Sequence, residues 1–208
     1  MAAIDEITPK HSQRIIDLVR AAGVNVDAWS NFAGGAEKAA SNPKYCYEWS
    51  FIEPERLVVL NLWLKSMRIA NETIIQKLNL RERAHRTNRA PNTAVWEKRA
   101  RSMDLAIQIA CRESLPIRVV VCDGQMRDAS DLAAKASRVT KRLLDPAPWA
   151  VAAYDWNSGE CTLIRVGKQF FVDQFAGNSA KWLLRRVLLP AMNSDVGLSA
   201  AKERFHGL

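Results

Sequence analysis

The sequence predicts an α+β fold: a single domain with a mixed or antiparallel sheet flanked by helices. Apolar runs bounded by turn residues, the pattern of strands, occur at 57–63, 117–122, 149–156 and 161–166. Amphipathic helical stretches occur as well, but they do not alternate regularly with the strands as a parallel α/β fold requires. The chain has 208 residues, of which 48% are apolar, so it can bury a substantial core.

The N-terminal elements are predicted from capping signals and apolar spacing. Thr8-Pro9 has the pattern of a helix start, and apolar residues from 15 to 19 form one face of a helix that ends near Gly23. An irregular loop is expected to extend to Lys44. Two strands follow at 45–51 and 57–63, joined as a hairpin around Pro54.

The remaining elements are less regular. Residues 72–86 read as a polar helix, and Asn92 or Thr93 could cap another helix that extends to Arg112. A strand at 117–122 is expected to end in a turn at Asp123-Gly124, followed by a short helix or ordered loop at 131–142. Residues 149–156 and 161–166 form the clearest hairpin. An edge strand at 170–175 and a helix at 179–189 complete the prediction, which divides the chain into a domain at 1–176 and a helical extension at 177–208.

Positive charge is concentrated in one segment. The chain has 30 Lys and Arg against 22 Asp and Glu, for a formal net charge of +8. The segment from Lys77 to Arg101 holds eight basic and two acidic residues, a net charge of +6. Because arginine forks suit phosphates and guanine edges, this segment favours a nucleic-acid partner over the alternative of a solvated helix face. The expected contacts are Arg81, Arg83, His85, Arg86 and Arg89.

Aromatic residues crowd into the segment before these charges. Seven rings lie between Trp29 and Trp63, beside the flexible Gly34-Gly35 pair and a rigid Pro43. So many rings in an irregular segment indicate a shaped, partly apolar recognition pocket. Two interpretations stay open for Trp29, Phe32, Gly34 and Gly35: they plug the core, or they contact a groove or a base.

The loop at 41–46 is the candidate pocket. The Pro43 ring, the Tyr45 ring and the Cys46 side chain could line a small apolar dimple, with Asn42 beside it and Lys44 at its rim. The alternative is a turn that leads into a strand, with Tyr45 and Cys46 packed inward.

Patterns for catalysis or metal binding are mostly missing from the sequence. It has no phosphate-binding glycine loop, nucleophile elbow or HExxH zinc motif, and its three histidines are isolated. Its four cysteines are far apart, as expected for free thiols in a reducing cytoplasm. Without an apolar run of roughly 18 residues, no membrane span is expected. We therefore predict a cytoplasmic chain with no catalytic residue, metal, cofactor or membrane partner.

Five blocks of sequence carry a family resemblance. They read NPKYCYEW at 42–49, VVLNLW at 58–63, WEKRA at 96–100, PIRVVVCDG at 116–124 and LDPAPWAV at 144–151. Between about Val19 and Phe175 the chain resembles the N-terminal region of bacterial McrA-like HNH endonucleases, in which a modification-reading domain precedes a nuclease domain. After Phe175 the chain departs from that family, because an HNH domain with its own histidines would be expected there and the sequence predicts only a short helix.

This resemblance implies a sulfur-binding domain that reads phosphorothioate DNA, in which sulfur replaces a non-bridging phosphate oxygen. In such domains a proline ring and neighbouring side chains form a shallow apolar pocket, and Asn42, Pro43 and Cys46 match that pattern best. The implied role is DNA binding in type IV, modification-dependent restriction, with double-stranded DNA as the partner. The HNH nuclease would be supplied in cis or in trans.

Other functions stay open at this point. A reader of methylated or hydroxymethylated cytosine would need an aromatic cage, which Trp29, Phe32 and Tyr47 could supply. A metal-dependent nuclease could use Asp123 and Asp128, although a turn explains Asp123 better. A protein partner with an acidic surface could also use the basic segment.

Overall fold

A computed structural model describes residues 4–87, 94–127 and 136–166 of the protein. It confirms the α+β class, because helices pack on one mixed sheet. The helices described are α1 (Ile15–Ala22), α2 (Leu80–Thr87) and α3 (Ala94–Glu113). The strands described are β1 (Ser50–Glu53), β2 (Leu57–Trp63), β3 (Arg68–Ala70), β4 (Thr73–Asn79), β5 (Ile117–Gln125), β6 (Arg138–Leu144), β7 (Trp149–Tyr154) and β8 (Glu160–Arg165).

The sheet has the strand order β1-β2-β5-β7-β8-β4-β3, and β6 pairs with β5 outside this path. Strands β2 and β5 are parallel, whereas the other described pairs are antiparallel. Strand β5 pairs with β7 only at Ile117, opposite Trp149, and with β6 from Val120 onward. The parallel pair therefore lies in the interior of the sheet, with hairpins on both sides of it.

Apolar side chains on the two faces of this parallel pair enter two different cores. Val58, Leu60 and Val119 pack with Met103 and Ile107 of α3 on one face. Val59 and Val120 pack with α1 and with the aromatic loop on the other face. Burial on both faces explains why β2 and β5 are continuously apolar in sequence instead of alternating.

A buried carboxylate ties the segment between β6 and β7 to β8. Asp145 is fully buried, and its oxygens accept hydrogen bonds from Arg165 at 2.9 and 3.1 Å, from the Trp149 Nε1 atom at 2.8 Å and from the Ala147 amide at 3.0 Å. Four donors compensate a carboxylate for the water it loses on burial. The Asp-Pro-Ala-Pro-Trp stretch is thus held to β7 and β8 by the hydrogen bonds of one buried carboxylate.

The predicted helix at 72–86 is wrong over its first half. Residues Thr73–Asn79 form β4, which pairs with β8 in an antiparallel register that sets Ile75 opposite Ile164. Its alternate residues Ile74 and Gln76 are buried, which is the two-residue period of a strand. The helix begins only at Leu80.

Four smaller boundaries also differ from the sequence prediction. Residues 45–47 form a turn, and β1 begins at Ser50. Asp123-Gly124 is a β-bulge inside β5, and residues 138–144 form β6 where a helix or loop was expected. The Thr8 hydroxyl donates to the Ile4 carbonyl at 3.1 Å, which closes an N-terminal 3₁₀ turn, and α1 begins only at Ile15.

Other boundaries are confirmed. Gly23 ends α1 with a φ of 106°, a left-handed conformation that glycine adopts without strain. Helix α3 ends at Glu113, and β2 and the β7–β8 hairpin lie where the sequence places them. The predicted strand at 170–175, the helix at 179–189 and the domain boundary at 176–177 lie outside the described residues.

Candidate nucleic-acid interface

Asn42 fixes the turn that leads into the aromatic segment. Its side chain is 2% exposed, and its Nδ2 atom donates to the Trp29 carbonyl at 2.8 Å while its Oδ1 atom accepts from the Lys44 amide at 3.0 Å. Its carbonyl accepts from the amides of Tyr45 at 3.0 Å and Cys46 at 2.9 Å. Asn42 therefore shapes the expected pocket from within the protein, and it does not contact a ligand directly.

The turn at 43–46 is exposed in its first half and half-buried in its second half. Pro43 and Lys44 are exposed, whereas Tyr45 and Cys46 are half-buried and pack against the core on the α1 face. The Lys44 Nζ atom lies 5.2 Å from the centroid of the Tyr45 ring, a cation–π distance. Tyr45 and Cys46 pack inward, as the alternative of a turn leading into a strand predicts, and an apolar dimple that includes Pro43 stays a prediction.

Trp29 belongs to the core. Its ring is 2% exposed and stacks on Tyr45 at 5.2 Å and on Phe51 at 5.7 Å between centroids. A base needs about 7 Å between two rings to stack between them, twice the contact distance of carbon atoms. No such gap exists beside Trp29, so the structure assigns this residue to the interior and not to the ligand-contacting surface.

Phe32 and the glycine pair form a tight bend. A Cβ atom added at Gly34 would lie 2.4 Å from the Phe32 Cζ atom, so Gly34 lets the half-buried Phe32 ring fold back over the backbone. Gly35 has a φ of 61° and open space around its Cα atom. Of these three residues, Gly35 faces the most open surroundings and Gly34 has a packing role.

Cys46 lies in a positive but poorly hydrated environment. Burial raises the pKa of its thiol above the ordinary value, and this outweighs the opposing effect of the nearby Arg99 and Arg142 guanidinium groups. The thiol is therefore protonated at neutral pH. The charges of Arg99 and Arg142 thus act on a neutral, polarizable sulfur atom.

The aromatic–arginine patch, formed by Tyr47, Trp49, Arg83 and Arg99, lies next to this turn. The Arg99 guanidinium is 5.6 Å from the Tyr47 ring centroid, and the Arg83 guanidinium is 5.1 Å from the Trp49 ring centroid. The two rings are two residues apart, and the two arginines come from the packed helices α2 and α3. Tertiary packing thus places two guanidinium groups over two rings of one short segment.

Both arginines of the patch have spare capacity to bind an anion. Burial lowers the pKa of Arg83, which has no hydrogen bond or carboxylate partner within the described residues. The Nε atom of Arg99 is buried without an acceptor, and its nearest carboxylate, Glu48, lies 3.6 Å away. A partly buried guanidinium without close acceptors is costly, and a phosphate that reaches its exposed nitrogen atoms would offset part of that cost.

The other basic residues expected at the interface divide into three groups. Arg81 is used internally, since it hydrogen-bonds to Asp104, Tyr154 and the Trp156 carbonyl. His85 is exposed on α2. The Arg86 side chain and the whole of Arg89 lie outside the described residues.

Sequence reasoning did not name Arg99 or Arg142 as contacts, and it named Tyr47 only as part of a cage for a modified cytosine. Arg99 and Tyr47 were visible as parts of the basic and aromatic clusters, but nothing in the sequence paired them. Arg142 is set by the register of β6, which places it opposite Cys122. That register could not be derived for a segment expected to be a helix or loop.

The alternative of a metal-dependent nuclease site at Asp123 and Asp128 has little geometric support in the described residues. Asp123 lies at the bulge of β5, where its Oδ1 atom accepts from the Gly124 amide at 2.8 Å, and Asp128 lies outside them. Within residues 4–87, 94–127 and 136–166, no three acidic, histidine or cysteine side chains come together as a metal site.

In those same ranges, no helix combines the length and apolarity needed to cross a membrane. Comparison of the chain with protein-family models, with curated proteins and with solved structures finds no match.

Proposed function

We propose that this chain is a DNA-binding module that reads a modified DNA backbone, with phosphorothioate as its ligand. The observation that carries the proposal is the turn at Pro43–Cys46, where an exposed proline precedes a half-buried, neutral thiol on which the charges of Arg99 and Arg142 act. A phosphorothioate needs both surfaces. Its negative charge requires cations, and its sulfur atom favours a poorly hydrated, polarizable contact.

The selectivity of such a pocket follows from desolvation. A phosphate oxygen is strongly hydrated, so contact with the Pro43 ring and a thiol would remove water without replacing its hydrogen bonds. Sulfur is larger and more weakly hydrated, so it loses less and gains more dispersion energy against the same atoms. The pocket therefore discriminates mainly by penalising the unmodified oxygen.

Affinity would come from the neighbouring cations. Lys44 is exposed at the turn, and Arg83 and Arg99 are seated on rings of the adjacent segment. Phosphates on either side of the read position would bind these groups and release counterions, which makes the affinity salt-dependent. Reading of methylated cytosine is less well supported, because Trp29, one of its three cage residues, has no free ring face.

Binding to one short duplex in three forms tests the proposal: unmodified, phosphorothioated in the Rp configuration at one position, and methylated at cytosine. We expect the sulfur form to bind most tightly in fluorescence anisotropy near physiological salt. Equal affinity for all three forms would reject a modification reader and leave a general DNA-binding protein. Preference for the methylated form would reject the sulfur pocket.

A matched pair of cysteine variants locates the pocket. Cys46→Ser replaces a weakly hydrated thiol with a hydroxyl of similar size, so we expect the ratio of affinities for sulfur and oxygen forms to fall severalfold. Cys111→Ser makes the same change at another half-buried cysteine, on α3, and should leave that ratio unchanged. An equal effect of both variants would exclude Cys46 from the pocket.

A further inference from the structure

Tyr47 is an exposed ring that interacts with one arginine. It is 61% exposed, although the Arg99 guanidinium lies 5.6 Å from its centroid. The guanidinium therefore lies over the ring, and most of the residue's surface is still open to solvent. This differs from Trp49, the other ring of the patch, which is half-buried and packs against the core on the α3 face.

The support beneath Tyr47 is well fixed. The Arg99 side chain is 14% exposed and lies 3.6 Å from Glu48. The Asn61 Nδ2 atom donates to the Glu48 carbonyl at 2.7 Å, and the Asn61 amide donates to the Trp49 carbonyl at 2.8 Å. Strand β2 thereby holds the backbone on the C-terminal side of Tyr47. A ring on a fixed support loses little conformational entropy when a flat ligand stacks on it.

The charge around this ring selects the kind of flat ligand. Lys44 is exposed three residues before this ring, Arg99 lies over it and Arg83 lies over Trp49, while Glu48 is the one carboxylate paired with these cations in the described residues. An aromatic group that carries neighbouring negative charges fits this setting, and a nucleotide is such a group. Stacking on the open face and phosphate contacts beside it would act together.

We propose that Tyr47 stacks on the face of an unpaired nucleobase, so that this chain binds DNA in which one base is extruded or lies in a single-stranded end. The inference rests on the proposed function and adds a second recognition element to it. In an intact duplex both faces of each internal base are already stacked. Only a base that has left the helix or lies at an end offers a free face to Tyr47.

Three DNA probes with the same central sequence test this inference on the full chain. The first is a blunt duplex, the second carries 2-aminopurine opposite an abasic site, and the third ends in a three-nucleotide overhang. We expect Tyr47→Ala to lose about 5- to 30-fold in affinity for a probe with an unpaired base and less than twofold for the blunt duplex. Tyr47→Phe keeps the ring and should bind like the parent protein.

The two unpaired probes distinguish the source of the base. A loss confined to the abasic probe, with 2-aminopurine fluorescence quenched by the parent protein but not by Tyr47→Ala, identifies an extruded base. A loss confined to the overhang identifies a single-stranded end. Ile69→Ala removes a residue that is 53% exposed on β3, at the opposite end of the strand order from β1, and should change nothing.

Two results would overturn the inference, and they differ from the failure of the proposed function. Equal losses on all three probes would make Tyr47 a general contact instead of a stacking platform. Unchanged affinity of Tyr47→Ala on every probe would show that the ring is not used, while the protein still binds DNA. If the parent protein binds none of the three probes even when each carries one Rp phosphorothioate, the DNA-binding function itself is rejected.

Discussion

Arg81 and Asp104 form the ion pair that joins α2 to α3, with 3.1 Å between the Arg81 Nε atom and the Asp104 Oδ2 atom. Asp104 also accepts hydrogen bonds from the Tyr154 hydroxyl at 2.7 Å and from Gln108 at 2.8 Å. The Arg81 stem passes so close to Gly159 that a Cβ atom there would lie 2.6 Å from the Arg81 Cδ atom. Arg81 thus links two helices to the β7–β8 hairpin.

Arg81→Ala should therefore act on stability. It removes the cation from a carboxylate that is only 9% exposed, so we expect a loss of about 1–3 kcal/mol in the free energy of unfolding. Urea denaturation measures this loss. Arg68→Ala, an exposed arginine on β3 without a partner in the described residues, is the control and should cost less than about 0.5 kcal/mol. Equal stability of the two variants would contradict this role of Arg81.

Because Tyr154 belongs to this hydrogen-bond network, part of the free energy of unfolding is lost at alkaline pH. Burial, together with the hydrogen bond to Asp104, raises the pKa of Tyr154 to about 12. An unfolded tyrosine has a pKa of about 10. The folded protein therefore favours the neutral hydroxyl, and the stability from this group is complete below pH 10 and is lost as the pH rises towards 12.

Tyr154→Phe should consequently reduce the difference between neutral and alkaline stability. We expect the parent protein to exceed the variant in free energy of unfolding more at pH 8 than at pH 11, as measured by urea denaturation at each pH. Tyr47→Phe removes an exposed hydroxyl without a partner in the described residues and serves as the control. A constant difference between the parent and Tyr154→Phe across this range would contradict the coupling.

Arg83 should contribute to DNA binding through its charge. Arg83→Met keeps an apolar stem over Trp49 but removes the guanidinium, so we expect weaker binding to modified and unmodified DNA alike. The slope of log K against log salt should become shallower by about 1, the value for one phosphate contact. Arg68→Met, at an exposed position on β3 at the opposite end of the strand order from β1, should leave the slope unchanged. An unchanged slope for Arg83→Met would remove it from the phosphate-contacting residues.

The elements that the sequence predicts well are those buried on both faces or closed by a turn. Strand β2 is continuously apolar because α3 and α1 cover its two faces, and Asn157-Ser158-Gly159 marks the turn between β7 and β8. Strand β4 was missed because Lys77 and Asn79 break its apolar pattern and a basic helix follows at once. Asn79 marks the boundary between strand β4 and helix α2, because its Oδ1 atom accepts a hydrogen bond from the Glu82 amide at 2.9 Å and so caps the helix. An asparagine is a recognised signal for the start of a helix in a sequence.

The candidate site is predictable only in part for a different reason. Composition shows that aromatic and basic residues are abundant, but not which of them are buried. Trp29 becomes core because Tyr45 and Phe51 stack on it, and Arg81 becomes structural because Asp104, on the packed helix α3, lies 3.1 Å from its Nε atom. The pairing of Tyr47 with Arg99 depends on tertiary contacts between segments 52 residues apart. Such contacts leave no local signal in the sequence.

Asp145 offers the sharpest test of what holds the sheet together. Asp145→Asn keeps the shape of the side chain but turns an amide N–H group towards donors, and it leaves Arg165 without its buried counter-charge. We expect a loss of about 3–5 kcal/mol in the free energy of unfolding, measured by urea denaturation followed through tryptophan fluorescence. Asp27→Asn, at an exposed position, should cost less than about 0.5 kcal/mol. Similar stabilities of the two variants would show that the hydrogen bonds of Asp145 are not a main source of stability, because water could then replace them.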